Sequence, residues 1–372
     1  MSVEIKEITG KRELKEFVFL PEKIHRDHTG WVPPIYSQEW HYLDPGKNKA
    51  FSYSDYVLAL ALRNGKAVGR IMGIINRKYN EYKQERNARF GYLECPEDQT
   101  VFNKLLTYVE DWAREKGMVK IVGPMGFNNH DPNGFLIEGF EYNPTFGTYY
   151  NFPYINRLII NGGYSKEIDY VVYKVIIPKE MPEFYTRIYN RISSKGEYTL
   201  NEFSKRKQIK PFIIPILELM NECFAELYGF QPLENMEMKN LGKRYLPALD
   251  PRFVKVVTKN NLVIGFNIAM PNLTKGIRKA KGRLTPLGII YILREAKKTR
   301  QLDSLIGAIK KEYRGRGIDV MMGYTTLVAA RKAGFEFADS HHEMEDNLKV
   351  RAEMERLGGQ VYKRFRIYKK EL

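Results

Sequence analysis

The sequence has 372 residues, 43% of them hydrophobic and 28% charged, which excludes a disordered chain and favours two cores over one. No run approaches the roughly 18 apolar residues of a membrane span, the start MSVEIKEITGKRELKEF has charges where a signal peptide would need an apolar stretch, and a cytoplasmic protein is expected. The net charge of +16 lies in one half: residues 1–178 carry 23 basic and 22 acidic side chains, residues 179–372 carry 37 and 22, so the second half is expected to meet an anion such as a nucleotide cofactor, an RNA or an anionic membrane surface.

In chain order, YVLALALRNGKAVGRIMGIINRKYN (56–80) reads as two strands turning at Asn64-Gly65, a strong hairpin signal. A third strand, ARFGYLECPED, carries Cys95, which with Cys223 lacks CxxC spacing; both are expected as buried small hydrophobes, with neither a disulfide nor a metal site. QTVFNKLLTYVEDWAREKG follows with Phe102, Leu105, Leu106, Val109 and Trp112 at helical spacing, and VKIVGP reads as a strand. The long loop GPMGFNNHDPNGFLIEGFEYNP (123–144) bunches Asn128, Asn129, His130 and Asp131. With Tyr149 and Tyr150 it is a candidate substrate-binding wall between two halves; an Asx-rich turn that satisfies its own backbone is the alternative. YINRLIINGGY predicts a helix stopped by Gly162-Gly163, and IDYVVYKVII another strand.

The second half repeats this order. FVKVVTKNNLVIGFNIAM predicts a hairpin turning at Asn260-Asn261, with Ile264-Gly265 matching Val68-Gly69. A Lys- and Gly-rich insertion, NLTKGIRKAKGRLTPLG, leads to a predicted helix, IIYILREAKKTR, and then to the strand SLIGAIKKEY. GIDVMMGYTTLVAARKAG, FEFADSHH, NLKVRAEMERLGG and QVYKRFRIYKK predict helix, strand, helix and strand, the last two meeting at a second Gly-Gly. Duplication of one α/β unit, with a mixed sheet in each copy, is the simplest account. The expected division is a first domain over 1–178, a connector over 179–211 and a second domain over 212–372.

Between the predicted strand and helix lies KKEYRGRGIDV (310–320). A strand, a Gly-rich basic turn and a helix N-terminus place unpaired N–H groups and the positive end of the helix dipole together, and Arg314 and Arg316 can add charge-assisted bonds to an anion. Neither a GxxxxGK[ST] loop nor a dinucleotide fingerprint is present.

The segment IKKEYRGRGI, followed by a helix, a strand and the pattern Asn347, Val350, Met354, Leu357, Gly358, resembles the GCN5-related N-acetyltransferase (GNAT) superfamily. The chain as a whole is similar to bacterial proteins built of two such halves, through WVPP (31–34), NGKAVGRI (64–71), the Gly-Pro at 123–124, GFLIEGF (134–140), EDN (345–347) and the Lys363, Arg366, Ile367, Tyr368 ending. The resemblance implies a tandem duplication of the acyl-CoA N-acyltransferase fold. It further implies that Ile309, Arg314, Gly315, Arg316, Gly317 and Ile318 hold the pyrophosphate side of acetyl-CoA or another acyl-CoA, with Asn347 beside the pantetheine. The first half would lack the phosphate loop. Two positions depart from the family pattern: Asp319 stands where the turn ends in Gly or Ala, and Met354 stands where many members have a proton-donating Tyr.

Acyl transfer to an amine needs a base, and ADSHHEMEDN (338–347) is the densest polar cluster nearby. If the strand continued, Asp339, His341, Glu343 and Glu345 would share one face; the resemblance favours Asp339, His341 and Glu345. The expected activity is transfer of an acyl group from CoA to a small-molecule amine, without a metal. Two alternatives accompany it: a transferase of two such halves that draws on aminoacyl-tRNA, with tRNA as partner of the basic half, and a non-catalytic binding protein.

Overall fold

The computed structural model describes residues 2–372. The first half opens with strand β1 (Val3–Glu7), helices α1 (Lys11–Ile24) and α2 (Tyr36–Tyr42), and the hairpin β2 (Ser54–Arg63) and β3 (Lys66–Asn76). Helix α3 (Arg77–Lys83), strand β4 (Asn87–Glu94), helix α4 (Gln99–Glu115), strands β5 (Lys120–Gly123) and β6 (Phe135–Glu138), helix α5 (Tyr154–Asn161) and strand β7 (Ser165–Ile176) complete it. Next come α6 (Glu183–Lys195), β8 (Thr199–Glu202), α7 (Arg206–Ile209), α8 (Ile213–Phe224) and α9 (Asn235–Tyr245). The second hairpin is β9 (Val254–Lys259) with β10 (Leu262–Pro271), followed by α10 (Thr274–Lys279), α11 (Pro286–Ala296), β11 (Gln301–Ile309), α12 (Ile318–Lys332), β12 (Phe337–Asp339), β13 (Glu343–Met344), α13 (Leu348–Arg356) and β14 (Gln360–Glu371).

Both predicted hairpins turn where Asn and Gly tolerate a left-handed backbone: φ is 53° and 71° at Asn64 and Gly65, and 49° and 64° at Asn260 and Asn261. The duplication shows in their irregularities as well. The β2–β3 register skips Val68 and the β9–β10 register skips Ile264, so a bulge stands at the same place in each half.

Among the described residues the strands form one sheet in the order β1-β2-β3-β4-β5-β14-β7-β12-β11-β10-β9-β8. The halves exchange their last strands. β7, from the first half, pairs with β12 of the second; β14, the end of the chain, pairs with β5 of the first; and the two pair antiparallel with each other from Gln360 opposite Lys174 to Lys369 opposite Ser165. Apolar alternation drives the seam: Val171, Tyr173 and Val175 face one side, and Val172 packs with Phe365 and Ile367 on the other. On the first half α4 lays Val101, Leu105 and Val109 across β2 to β5, and on the second α8 covers β9 and β10 through Leu219, Met220, Val256 and Phe266. The segment expected as a connector supplies the outer strand β8, paired with β9, and helix α6, whose Ile188 and Ile192 pack with Ile318 and Met321.

Candidate functional site

β11 and β12 run parallel for three pairs, ending at Asp303 opposite Asp339. There β12 stops while β11 continues to Ile309, so the strands part and open a cleft in the sheet. A register shift of β11 against Ile268 and Ala269 bends β11 at the parting. The basic turn stands at the far end of β11. Gly315 and Gly317 hold φ of 72° and 82°, the left-handed region that favours glycine, and Gly317 begins α12 with no side-chain cap. Arg314 is steadied by Nε donating to the Ile309 carbonyl at 3.0 Å, and the Arg316 guanidinium lies over Tyr313. Both arginines are exposed. An uncapped helix start with two exposed guanidinium groups is an electropositive corner facing solvent.

At the cleft floor lies a buried polar network. Asp339 is fully buried and its Oδ2 accepts from Thr145 Oγ1 (2.7 Å), Lys363 Nζ (3.0 Å) and Tyr362 OH, while Oδ1 accepts from the His341 backbone N–H (2.8 Å). Burial pushes its carboxyl up, yet the Lys363 ammonium and these hydrogen bonds outweigh burial and hold it below the ordinary carboxylate range. Asp303, equally buried, accepts from Asn272 Nδ2, Gln301 Nε2 and the Phe146 N–H. Burial, with the Asp339 charge beside it, pushes this second carboxyl up to about 7. One buried Lys363 between two carboxylates explains the opposite shifts: the ammonium bonds Asp339 directly and leaves Asp303 the weaker share.

The expected alternation over 339–345 does not hold. β12 ends at Asp339, and His341 takes a left-handed backbone with φ of 60°, so the four side chains do not share one face. His341 Nε2 lies 3.3 Å from the Phe146 carbonyl; burial lowers the imidazole below its ordinary value despite Asp339 nearby. His342 turns the other way, between Tyr170 and Phe365. Glu343 is partly buried on β13, and burial pushes it up to about 8. Glu345 pairs with Lys166 at 2.5 Å, away from Asp339. Asn347 accepts from the Val350 N–H at 3.4 Å and so caps α13. Asp319 does not cap α12; it meets Glu353 of α13, whose carboxyl is pushed up to about 8 by burial and by Asp319. Cys95 is buried as expected, whereas Cys223 is half-buried with Sγ donating to the Ile309 carbonyl at 3.4 Å.

The first half has the same parting of strands, β4 running past β5 after Arg89 opposite Val122, but its corner is closed. Asp98 caps α4 by accepting from the Thr100 and Val101 N–H groups and pairs with Arg63 at 2.6 Å. A carboxylate thus occupies the place where the second half leaves amides free for an anion. The 128–131 loop folds on itself: Asn128 Oδ1 accepts from the His130 N–H, and Asp131 Oδ2 accepts from the Asn128 N–H and from Tyr42 OH. It also touches the second half, the His130 ring standing edge-on to Phe230 and Asn129 beside Gly229. Tyr149 is placed beside Phe135, and Tyr150 OH donates to the Phe140 carbonyl while its ring meets His28. The structure therefore sets Asn128 to Asp131 at the junction and the two tyrosines in the first half.

No family model matches the sequence. A tandem GNAT protein from the clavulanic acid biosynthesis pathway overlays the whole chain and 98% of its own length with a TM-score of 0.56 at 11% identity. A GCN5-related N-acetyltransferase from Sphaerobacter thermophilus covers 99% of this chain and 95% of its own with a TM-score of 0.53 at 14% identity. The fold is a tandem GNAT fold. By sequence the chain is 26% identical over 371 residues to a bacterial ceramide synthase of Caulobacter vibrioides, spanning 97% of this chain and 95% of that one. It is 23% identical over 383 residues to protein YghO of Escherichia coli, spanning 99% and 95%.

Within the tandem GNAT fold, Thr145, Asp303 and Tyr362 were not legible as site residues, and Lys363 stood out only as part of the chain-end pattern. Each lies in a stretch that reads as ordinary strand or loop, and only the strand exchange carries Lys363 of β14 to Asp339 of β12. Lys363 sits between Tyr362 and Phe365 in a strand otherwise expected to alternate, and a lysine on the apolar side of that alternation was the available signal.

Proposed function

We propose that the protein is an acyl-CoA-dependent N-acyltransferase whose second half binds the acyl donor and whose acceptor is a long-chain lipid amine. The observation that carries the reading is the uncapped α12 start with its two left-handed glycines and exposed arginines, set at the end of the parted strand β11. Ile309, Arg314, Gly315, Arg316, Gly317 and Ile318 form that corner, which suits a pyrophosphate. Asn347, at the start of α13, would flank the pantetheine. The acceptor class is supported by the likeness to a bacterial ceramide synthase, since a ceramide is an amide of a long-chain amino alcohol.

Of the three candidate acid–base residues, His341 takes the role of base. Its lowered basicity keeps the imidazole neutral near pH 7, and with Nε2–H directed at the Phe146 carbonyl the lone pair resides on Nδ1. Asp339 holds the His341 backbone, and Glu345 is engaged by Lys166. The amine nitrogen attacks the thioester carbonyl carbon, its proton passes to His341, the carbon–sulfur bond breaks and the thiolate takes a proton from water. Asn128, Asn129, His130, Asp131, Tyr149 and Tyr150 would contact the acceptor side.

The test incubates the protein with acyl-CoAs and a long-chain amino alcohol and follows amide and free thiol together. His341→Asn retains the left-handed backbone, because Asn tolerates it; kcat should fall by about 100-fold or more with an unchanged melting temperature. Equal kcat in the variant removes His341 from the mechanism. The charge of the second half favours one other reading, transfer from aminoacyl-tRNA. That reading requires binding that weakens steeply with salt as many counterions are released, whereas a single CoA gives a shallow slope.

A further inference from the structure

Between β10 and β11 the chain forms a helical hairpin, α10 and α11 joined over 280–285. α11 rests on α10 through a narrow side: a Cβ added at Gly276 would lie 2.6 Å from the Ile292 Cα, so the backbones are nearly in contact. The opposite side of α11 is bare. Leu287, Ile290 and Leu293 are 58%, 57% and 56% exposed, and Leu284 and Ile289 stand beside them. At 100° per residue, 287, 289, 290 and 293 fall on one outward face, the reverse of a helix whose polar side meets water. Contiguous apolar surface of this kind marks an interaction site.

Its rim decides what covers it. Residues 275–300 hold nine basic side chains and one acidic, Glu295, which Lys279 engages at 2.7 Å. Lys281, Arg294, Lys297 and Lys298 are exposed around the apolar face. A second copy would set the same positive rim against itself, whereas an anionic lipid surface takes both the apolar centre and the cationic rim. At about 16 Å long, α11 is too short to cross a bilayer, and among the described residues no helix is long and apolar enough to do so.

We propose that the α10–α11 hairpin docks the protein on an anionic bilayer, with Leu287, Ile290 and Leu293 in the acyl boundary and Lys281, Arg294, Lys297 and Lys298 among the headgroup phosphates.

The proposal requires no activity and is tested on the full chain by co-sedimentation with vesicles. Wild type is expected to partition onto vesicles of equal parts phosphatidylcholine and phosphatidylglycerol and to stay in solution with phosphatidylcholine alone. Leu287→Ser/Ile290→Ser/Leu293→Ser, whose sites are already in solvent, should keep its melting temperature and lose roughly 100-fold in partitioning. Lys281→Gln/Lys297→Gln/Lys298→Gln should lose at least about tenfold and depend less steeply on salt. Equal partitioning of the triple serine variant and wild type overturns the proposal. So does wild type that ignores both vesicles, including the case where it sediments as a dimer that the serine variant abolishes, since the face then belongs to a second copy.

Discussion

Lys363 and Asp339 are buried to 1% and 0% exposure, and each is tolerable only because of the other. Lys363→Met leaves a buried carboxylate facing a second one, at a cost of about 3–5 kcal/mol, read as a fall in the urea midpoint; a loss within experimental error would show that the pair is dispensable. Asp303 makes a pH signature. Its folded carboxyl is raised to about 7 while the unfolded one stays in the ordinary range, so its contribution is full below about pH 4 and is lost as pH rises through 7. Asp303→Asn lacks this component. Its urea midpoint relative to wild type should therefore climb between pH 4 and pH 7, and a constant difference would contradict the raised carboxyl. At this scale the sequence showed Asp339 and His341 as polar residues near a strand end but not their partners, because Thr145, Tyr362 and Lys363 arrive from 194, 23 and 24 residues away.

At the scale of elements, the two strand-to-helix corners differ in a few residues with large consequences. In the first half Asp98 closes the N-terminus of α4; in the second, Gly317 leaves that of α12 open. Gly317 is fixed by backbone and by packing, since its φ is 82° and a Cβ would lie 2.2 Å from Ile192 Cδ1 of α6. Gly315 has a similar φ of 72° and open space around it. Gly315→Ala should cost about 1 kcal/mol of backbone strain, and Gly317→Ala more, with displacement of α6 detectable as faster amide exchange over 183–195; equal thermal shifts for the two would refute the packing argument. The hairpins, both Gly-Gly stops and the order of the predicted strands and helices were legible, since turn chemistry and periodicity are local; β1, α1, α2, α8 and α9 were not among them. The end of β12 at Asp339 was not, because a left-handed His341 is set by the Asp339 carboxylate and the Phe146 carbonyl rather than by its neighbours in sequence.

For the whole molecule, the exchange of β7 and β14 makes each half depend on the other's last strand, a long-range pairing that no local pattern announces. Fragments 1–178 and 179–372 expressed separately should each lack near-ultraviolet circular dichroism, and together should recover it as a one-to-one complex; a well-packed isolated fragment would show that the exchange is not needed for folding. The charge asymmetry was legible from composition alone, and more than half of it lies on the hairpin at 275–300, with a smaller share at the turn 314–316. Which anion the turn takes is the centre of the functional account. Calorimetric titration of long-chain acyl-CoA into wild type and Arg314→Glu, at constant salt, addresses it without reference to the acceptor. The account predicts binding by wild type and at least tenfold weaker binding by the variant, about 1.4 kcal/mol; equal affinity for both, or none for wild type, would contradict it.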